Sequence, residues 1–249
     1  NELSGPLVMA SLFKKLENKK NRRFNYRFYI GPETIGSLCF LKERGRHLIE
    51  NINFGIVLTC LGGKNEILSA KLPRDKNHYI NRFLKNQDNL LLRDFTPAGG
   101  SDERQFCSPG FNLPVINIVR DCYVWGYKGY HNSLDTKEYM SINSIKESTN
   151  RIEKLINDFE EFFPYERTNP YGEPQLGKRD LYANINSRET WTNISDKNIE
   201  SGEFREGMLW ILSMSDGIND LNDISVSSGI SISTLKEISY KLMLHKLII

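Results

Sequence analysis

The stretch Phe54 to Leu61, Phe-Gly-Ile-Val-Leu-Thr-Cys-Leu, constrains the fold of this chain more than any other. A run so apolar and so rich in branched residues has no polar face to turn toward water. It reads as a strand buried on both faces, which requires a sheet covered by helices. Its surroundings supply them. Leu7, Val8, Ala10, Leu12 and Leu16 recur at helical spacing from Gly5 to Leu16, and helical spacing returns from Ile35 to Ile49. Between these, Phe24, Tyr26 and Phe28 alternate with polar residues, which predicts a strand from Phe24 to Ile30 stopped by Gly31-Pro32. Beyond the apolar run, strands are expected at Glu66–Leu72, Leu90–Phe95 and Val115–Val119, with a helix over Asp75–Asn86 capped by Asp75. A long helix follows from Ser141 to Phe163, marked by Ile142, Ile145, Ile152, Leu155, Ile156 and Phe159. Alternating strands and helices predict a three-layer α/β/α sandwich.

From Pro164 to Arg188 the periodicity stops, and Pro164, Pro170, Gly172, Pro174 and Gly177 punctuate a polar stretch. Residues 164–200 are therefore expected to be a linker or extended arm after a first domain at 1–163. From Ser201 the helical signal resumes in three pieces, Gly202–Met214, Leu221–Ser228 and Ser233–Leu244, the last capped by Ser233. The second and third have helix-turn-helix form, and Leu247-Ile248-Ile249 reads as a strand of a wing, so 201–249 is expected to be a winged-helix module.

A formal charge of +2 gives no hint of a polyanionic partner. Cys39, Cys60, Cys107 and Cys122 lack CxxC spacing, so reduced, mostly buried thiols and a cytoplasmic setting are expected. No apolar run reaches the roughly 18 residues of a membrane span. The first residue is Asn1 rather than Met, which suggests a chain beginning inside a longer gene product.

Chemistry concentrates in loops that follow strands, where ligands of open α/β sheets bind. The densest is Gly100 to Pro114, in which Ser101, Asp102, Glu103 and Arg104 precede Phe106 and the turn Ser108-Pro109-Gly110. Its ordinary reading is a salt-bridged surface turn. His131, with Asp135 four residues on, offers a metal ligand and an acidic orienter, or else a surface histidine. Glu33 is either a first-turn carboxylate favoured by the helix dipole, or a general base or ligand at a strand end. Ser4-Gly5-Pro6 reads as a helix start.

In order, NELSGP at 1–6, IGPETIGS at 30–37, GSDERQFCSPGFNLPV at 100–115 and GYHNSLDT at 129–136 resemble the zinc aminopeptidase superfamily, which includes bacterial aminopeptidases and glutaminyl cyclases. The matching landmarks there are an Asp-x-x-Ser-Gly segment, a Glu-Glu pair after a strand, a Ser-Asp-His segment and a histidine loop. The segment EPQLGKR at 173–179 makes the likeness closest to a subfamily with a C-terminal winged helix. The resemblance implies a zinc-binding role for His131 and places Glu33 on one member of the Glu-Glu pair. Alignment on Gly36 makes Glu33 the base that activates water, and alignment on Gly31 makes it a ligand; the base is preferred here. Asn1 stands where the bridging aspartate would be, Thr59 near another aspartate ligand, and Glu103 in place of the histidine of Ser-Asp-His. The family's upstream zinc histidine would precede Asn1. One zinc ion is therefore expected rather than two, with His131 and, through its side-chain carbonyl oxygen, Asn1 as its ligands; the alternative is that this stretch alone holds none.

The resemblance thus implies zinc-dependent hydrolysis of a peptide or amide bond, with Asp102, Glu103 and Arg104 contacting a small peptide or amino-amide substrate. The competing expectation is a catalytically degraded binding or sensing protein that uses its winged helix to engage protein or nucleic acid. Because Ser233–Leu244 carries only Lys236 and Lys241 as cations, against Glu237, nucleic acid is the less favoured partner and no residue is assigned to it. A further copy of the chain is the other partner considered.

Overall fold

The computed structural model describes residues 3–20, 22–120, 129–179, 181, 199 and 201–249. The chain divides into two units, Asn1–Glu160 and Glu161–Ile249.

The first unit runs α1 (Ser4–Glu17), α2 (Ile35–Asn51), β1 (Gly55–Thr59), β2 (Leu68–Lys71), α3 (Tyr79–Lys85), β3 (Leu90–Arg93), α4 (Glu103–Phe106), β4 (Val115–Arg120) and α5 (Ile142–Phe162). The four strands form one mixed sheet in the order β1-β4-β2-β3. β1 pairs parallel with β4 and β2 parallel with β3, while β2 and β4 run antiparallel. Every residue of β2 and β4 is buried, so the central strands lie covered on both faces, while β1 at the edge is half-buried. The register sets Val57, Asn117, Lys71 and Arg93 side by side across the sheet, on one face. That row carries charge and amide into a core position.

α1 lies directly on β1. A Cβ added at Gly5 would sit 2.3 Å from the Leu58 carbonyl oxygen, so only glycine allows this approach. Next to it the buried Ser4 hydroxyl accepts the Leu61 backbone N–H at 2.8 Å.

Phe24–Ile30 forms no strand, contrary to its alternation. The aromatics pack on helices instead: Phe24 meets Phe159 of α5 at 5.9 Å, and Phe28 meets Phe13 of α1 edge-on at 5.4 Å. The backbone is tied to a side chain rather than a ladder, since Arg23 and Phe24 donate their N–H groups to Glu160 Oε1 at 3.0 and 3.2 Å. Lys19 donates to the other carboxylate oxygen. Burial pushes the Glu160 carboxyl up, but the hydrogen bonds from Lys19 and the Phe24 N–H outweigh it and hold the group below its ordinary value of 4.5. The Tyr26 phenol is pushed the other way, by burial first and then by the Glu160 charge. Because the folded-state pKa of Glu160 is depressed, its stabilisation is complete above the unfolded value and is lost as pH falls through the folded one. Urea unfolding of wild type and Glu160→Gln is expected to show a gap at pH 7 of about 1–3 kcal/mol that closes toward pH 3.

Asp75 does not cap α3. Its carboxylate accepts the Asn77 N–H at 2.9 Å, and the cap is His78, whose Nδ1 accepts the Ile80 N–H at 3.2 Å. Burial lowers the His78 pKa, which suits an acceptor nitrogen.

The second unit contains α6 (Ser201–Met214), α7 (Leu221–Ser228) and α8 (Ile232–Leu244) around a core that includes Met208, Ile211, Ile224, Leu235 and Ile238. Asp220 caps α7 with a reciprocal bond from its own N–H to Asp223, and Gly229 ends it at φ 72°. The cap of α8 is Ser231 rather than Ser233; its hydroxyl accepts the Thr234 N–H at 3.2 Å. The stretch expected to be a linker is built into this unit over its described part. Tyr165, Leu176 and Leu181 are buried in the core, and Glu166 exchanges backbone bonds with Ile249 at 3.2 and 2.9 Å. Leu247–Ile249 thus pairs with residues 166–168, the partner that the sequence reading did not supply.

Cys39, Cys60 and Cys107 are free thiols. Among the described residues no helix is long and apolar enough to cross a membrane.

Candidate functional site

Two loops far apart in sequence meet at Ser101. The Ser101 hydroxyl donates to Glu33 Oε1 at 2.8 Å, and Asp102 Oδ1 accepts the Thr34 backbone N–H at 2.7 Å. Thr34, a β-branched residue, is held at φ 61°, and its N–H bond to Asp102 fixes the peptide at the head of α2. The Ser101 carbonyl accepts from Arg104 Nε at 3.1 Å. Glu33 is exposed, while Asp102 and Arg104 are half-buried.

The loop itself is anchored from below by an ion pair that the sequence reading missed. Glu103 is 0% exposed and accepts from Lys71 Nζ at 2.7 Å through Oε1 and from the Ser101 N–H at 2.9 Å through Oε2. Lys71, also 0% exposed, donates as well to the Gly99 carbonyl and lies over the Phe95 ring. Gly100 sits at φ 119°, where a Cβ would fall 2.0 Å from Glu103 Oε1. A side chain there would push the carboxylate off its lysine. Both Glu103 oxygens are therefore committed inward, and this residue shapes the loop instead of presenting charge to a ligand. One signal for Lys71 was available: strand alternation sets it on the same face as Ser69, in a strand flanked by apolar runs, so its ammonium needs a nearby acid.

The far side of the loop is fastened by Cys107, whose thiol donates to the Leu113 and Val115 carbonyls at 3.4 and 3.3 Å. Burial raises its pKa, which keeps it a protonated donor. Arg74 Nε donates to the Cys107 carbonyl at 2.9 Å, and Arg74 Nη2 to Asn112 Oδ1 at 2.6 Å.

On the sheet, Asn117 is 0% exposed and donates through Nδ2 to Thr59 Oγ1 at 3.2 Å. Thr59 is thus engaged as a hydrogen-bond acceptor. His131 is exposed, held at φ 57° and stacked on Tyr130 at 3.8 Å, and it makes no bond to Glu33 or to the Ser101 loop. Asn1 lies outside the described residues. Among the described residues no three His, Cys, Asp or Glu side chains gather as a metal ion would need. The donors described here therefore do not by themselves fit a zinc ion.

Comparison with known proteins follows the same division. Residues 1–161 match a family described as a domain of unknown function, DUF4910, and residues 163–249 match a winged helix-turn-helix family. A Clostridium acetobutylicum protein named "Putative polysaccharide biosynthesis protein with aminopeptidase-like domain" is 36% identical over 256 residues, covering 100% of this chain and 55% of that protein. A crystal structure of a protein described as a "putative peptidase" from the same organism is 32% identical, with a TM-score of 0.64 over 100% of this chain and 53% of that one. The chain spans about half the length of these relatives. One relative is thus named for an aminopeptidase-like domain and the other described as a peptidase, and the chain belongs to the DUF4910 family, joined here to a C-terminal winged helix-turn-helix.

Proposed function

We propose that the first unit is an aminopeptidase-like hydrolase of peptide or amide bonds, built on the three-layer sandwich of that superfamily, with its ligand edge at Glu33, Ser101, Asp102 and Arg104. The observation that carries this reading is the 2.8 Å bond from Ser101 to Glu33, which joins the two motifs of the superfamily resemblance into one wall. Ser101 fixes one oxygen of the Glu33 carboxylate and leaves Oε2 for a water proton. As that water attacks the carbonyl carbon, a C–O bond forms, the C–N bond breaks, and the proton passes through Glu33 to the departing amine. The charges of Glu33 and Asp102 favour a ligand ammonium at the same edge. A zinc ion would need donors beyond those that converge among the described residues.

The test is turnover of aminoacyl amides and dipeptides by the full-length protein, with and without zinc or a chelator, beside Glu33→Gln. Loss of about 10²–10⁴-fold in kcat for the variant is expected. An unchanged kcat would remove Glu33 from the chemistry.

A second reading, recognition without turnover, is favoured by Glu103. It stands where the superfamily has a histidine, and its charge is closed on Lys71. Binding of these ligands without hydrolysis at any zinc concentration would select it. In either reading the winged helix is proposed to meet protein rather than nucleic acid. Lys236 of α8 is paired with Glu161 and lies over Phe162, and Lys241 is buried over Phe204 with its pKa lowered by that burial. Neither cation is available to neutralise phosphate.

A further inference from the structure

We infer that the Ser101 edge is a zwitterion subsite, made for a ligand with a free amine and a free carboxylate a few bonds apart, as in an amino acid or a dipeptide. The inference rests on the reading of this edge as the ligand site and names the ligand class. Its basis is that two opposite charges hang on one residue without meeting each other. Glu33 is held through Oε1 by the Ser101 hydroxyl, and Arg104 is held through Nε by the Ser101 carbonyl, so the two heads stand on two sides of a single residue.

Both heads keep bonding capacity. Among the described residues Glu33 Oε2, Asp102 Oδ2 and the two terminal nitrogens of Arg104 have no partner. Of the two acids in the loop of Arg104, Glu103 is consumed by Lys71 and the Ser101 N–H, and Asp102 is turned to the Thr34 N–H through Oδ1 and makes no ion pair with Arg104. With Nε tied back, the remaining guanidinium edge offers the Nη pair to a carboxylate, a planar acceptor that suits arginine better than any neutral amide does. The carboxylates of Glu33 and Asp102 offer the complementary acceptors to an ammonium. A ligand lacking either charge leaves one head unpaired.

Calorimetric titration of the full-length protein tests this with L-alanine and L-leucine, each beside its amino alcohol and its N-acetyl derivative, none of which an aminopeptidase consumes. The amino acids are expected to bind at least about tenfold tighter than the amino alcohols and the N-acetyl derivatives. Arg104→Gln is expected to remove the preference for the carboxylate while leaving amino-alcohol affinity within about twofold, and Arg104→Lys to restore part of it. Equal affinity for amino acid and amino alcohol, equal weakening of both by Arg104→Gln, or no binding of any probe would overturn the inference. Turnover lost with Glu33→Gln alongside equal affinities would sink the zwitterion assignment alone and leave the hydrolase reading standing.

Discussion

Replacement of Lys71 by methionine is expected to cost the first unit about 3–5 kcal/mol, because it strands the Glu103 carboxylate in a site with no exposure to water. The methionine fills the space of the lysine stem but offers nothing to Oε1, and the loop at Gly99 loses its donor as well. A buried pair is costly to assemble and far more costly to halve. The double variant Lys71→Met, Glu103→Leu should therefore recover most of the loss, since removing both charges also removes the need to solvate either. Hydrogen exchange at the β2 and β4 amides reads this locally, with protection expected to fall by about 10²–10³-fold in the single variant. A fall of less than about fivefold would mean that Glu103 finds another partner or reaches water.

Gly5→Ala is expected to destabilise the first unit by about 3 kcal/mol, although alanine is the better helix former by about 1 kcal/mol. The added Cβ would lie 2.3 Å from the oxygen and 3.2 Å from the carbon of the Leu58 carbonyl, both backbone atoms of a paired strand that cannot turn aside. α1 must lift from β1, and the Ser4 bond to Leu61 would lengthen with it. Thermal unfolding followed by circular dichroism should show a transition lower by about 6–12 °C. A raised transition would contradict the direct seating of α1 on the sheet.

These two positions also show what the chain made legible. The strands were readable as apolar runs: Gly55–Thr59 lies inside Phe54–Leu61, although as an edge strand it is half-buried rather than covered on both faces, and Val115–Arg120 extends Val115–Val119 by one residue. Phe24, Tyr26 and Phe28 misled because alternation reports only that every second side chain is buried, not what it is buried against. Helices α1 and α5 supply the burial here, and the Glu160 carboxylate supplies the acceptor for the Arg23 and Phe24 N–H groups. Ser4-Gly5 resembles a landmark of the zinc aminopeptidases, but its close contact with β1 depends on a strand more than fifty residues away.

The candidate site was legible in part for the same reason. Glu33 stands out through its motif, whereas Ser101 is only one polar head of its loop and has no role assigned from the sequence, and the structure brings the two together. Glu103 looked like a ligand contact because its buried partner lies on β2, thirty-two residues upstream, and no local pattern in the loop announces it. His131 was singled out by its scarcity and neighbours, and in space it stacks on Tyr130 at the surface.

The central claim is that Glu33 and Ser101 act as one unit at the ligand edge. A double-mutant cycle on kcat/KM in the full-length protein tests it most directly, with Glu33→Gln, Ser101→Ala and the pair. If Ser101 acts by holding the Glu33 carboxylate, Ser101→Ala should cost about tenfold or more in the wild-type background and almost nothing once Glu33 is glutamine. Equal costs in both backgrounds would contradict the account.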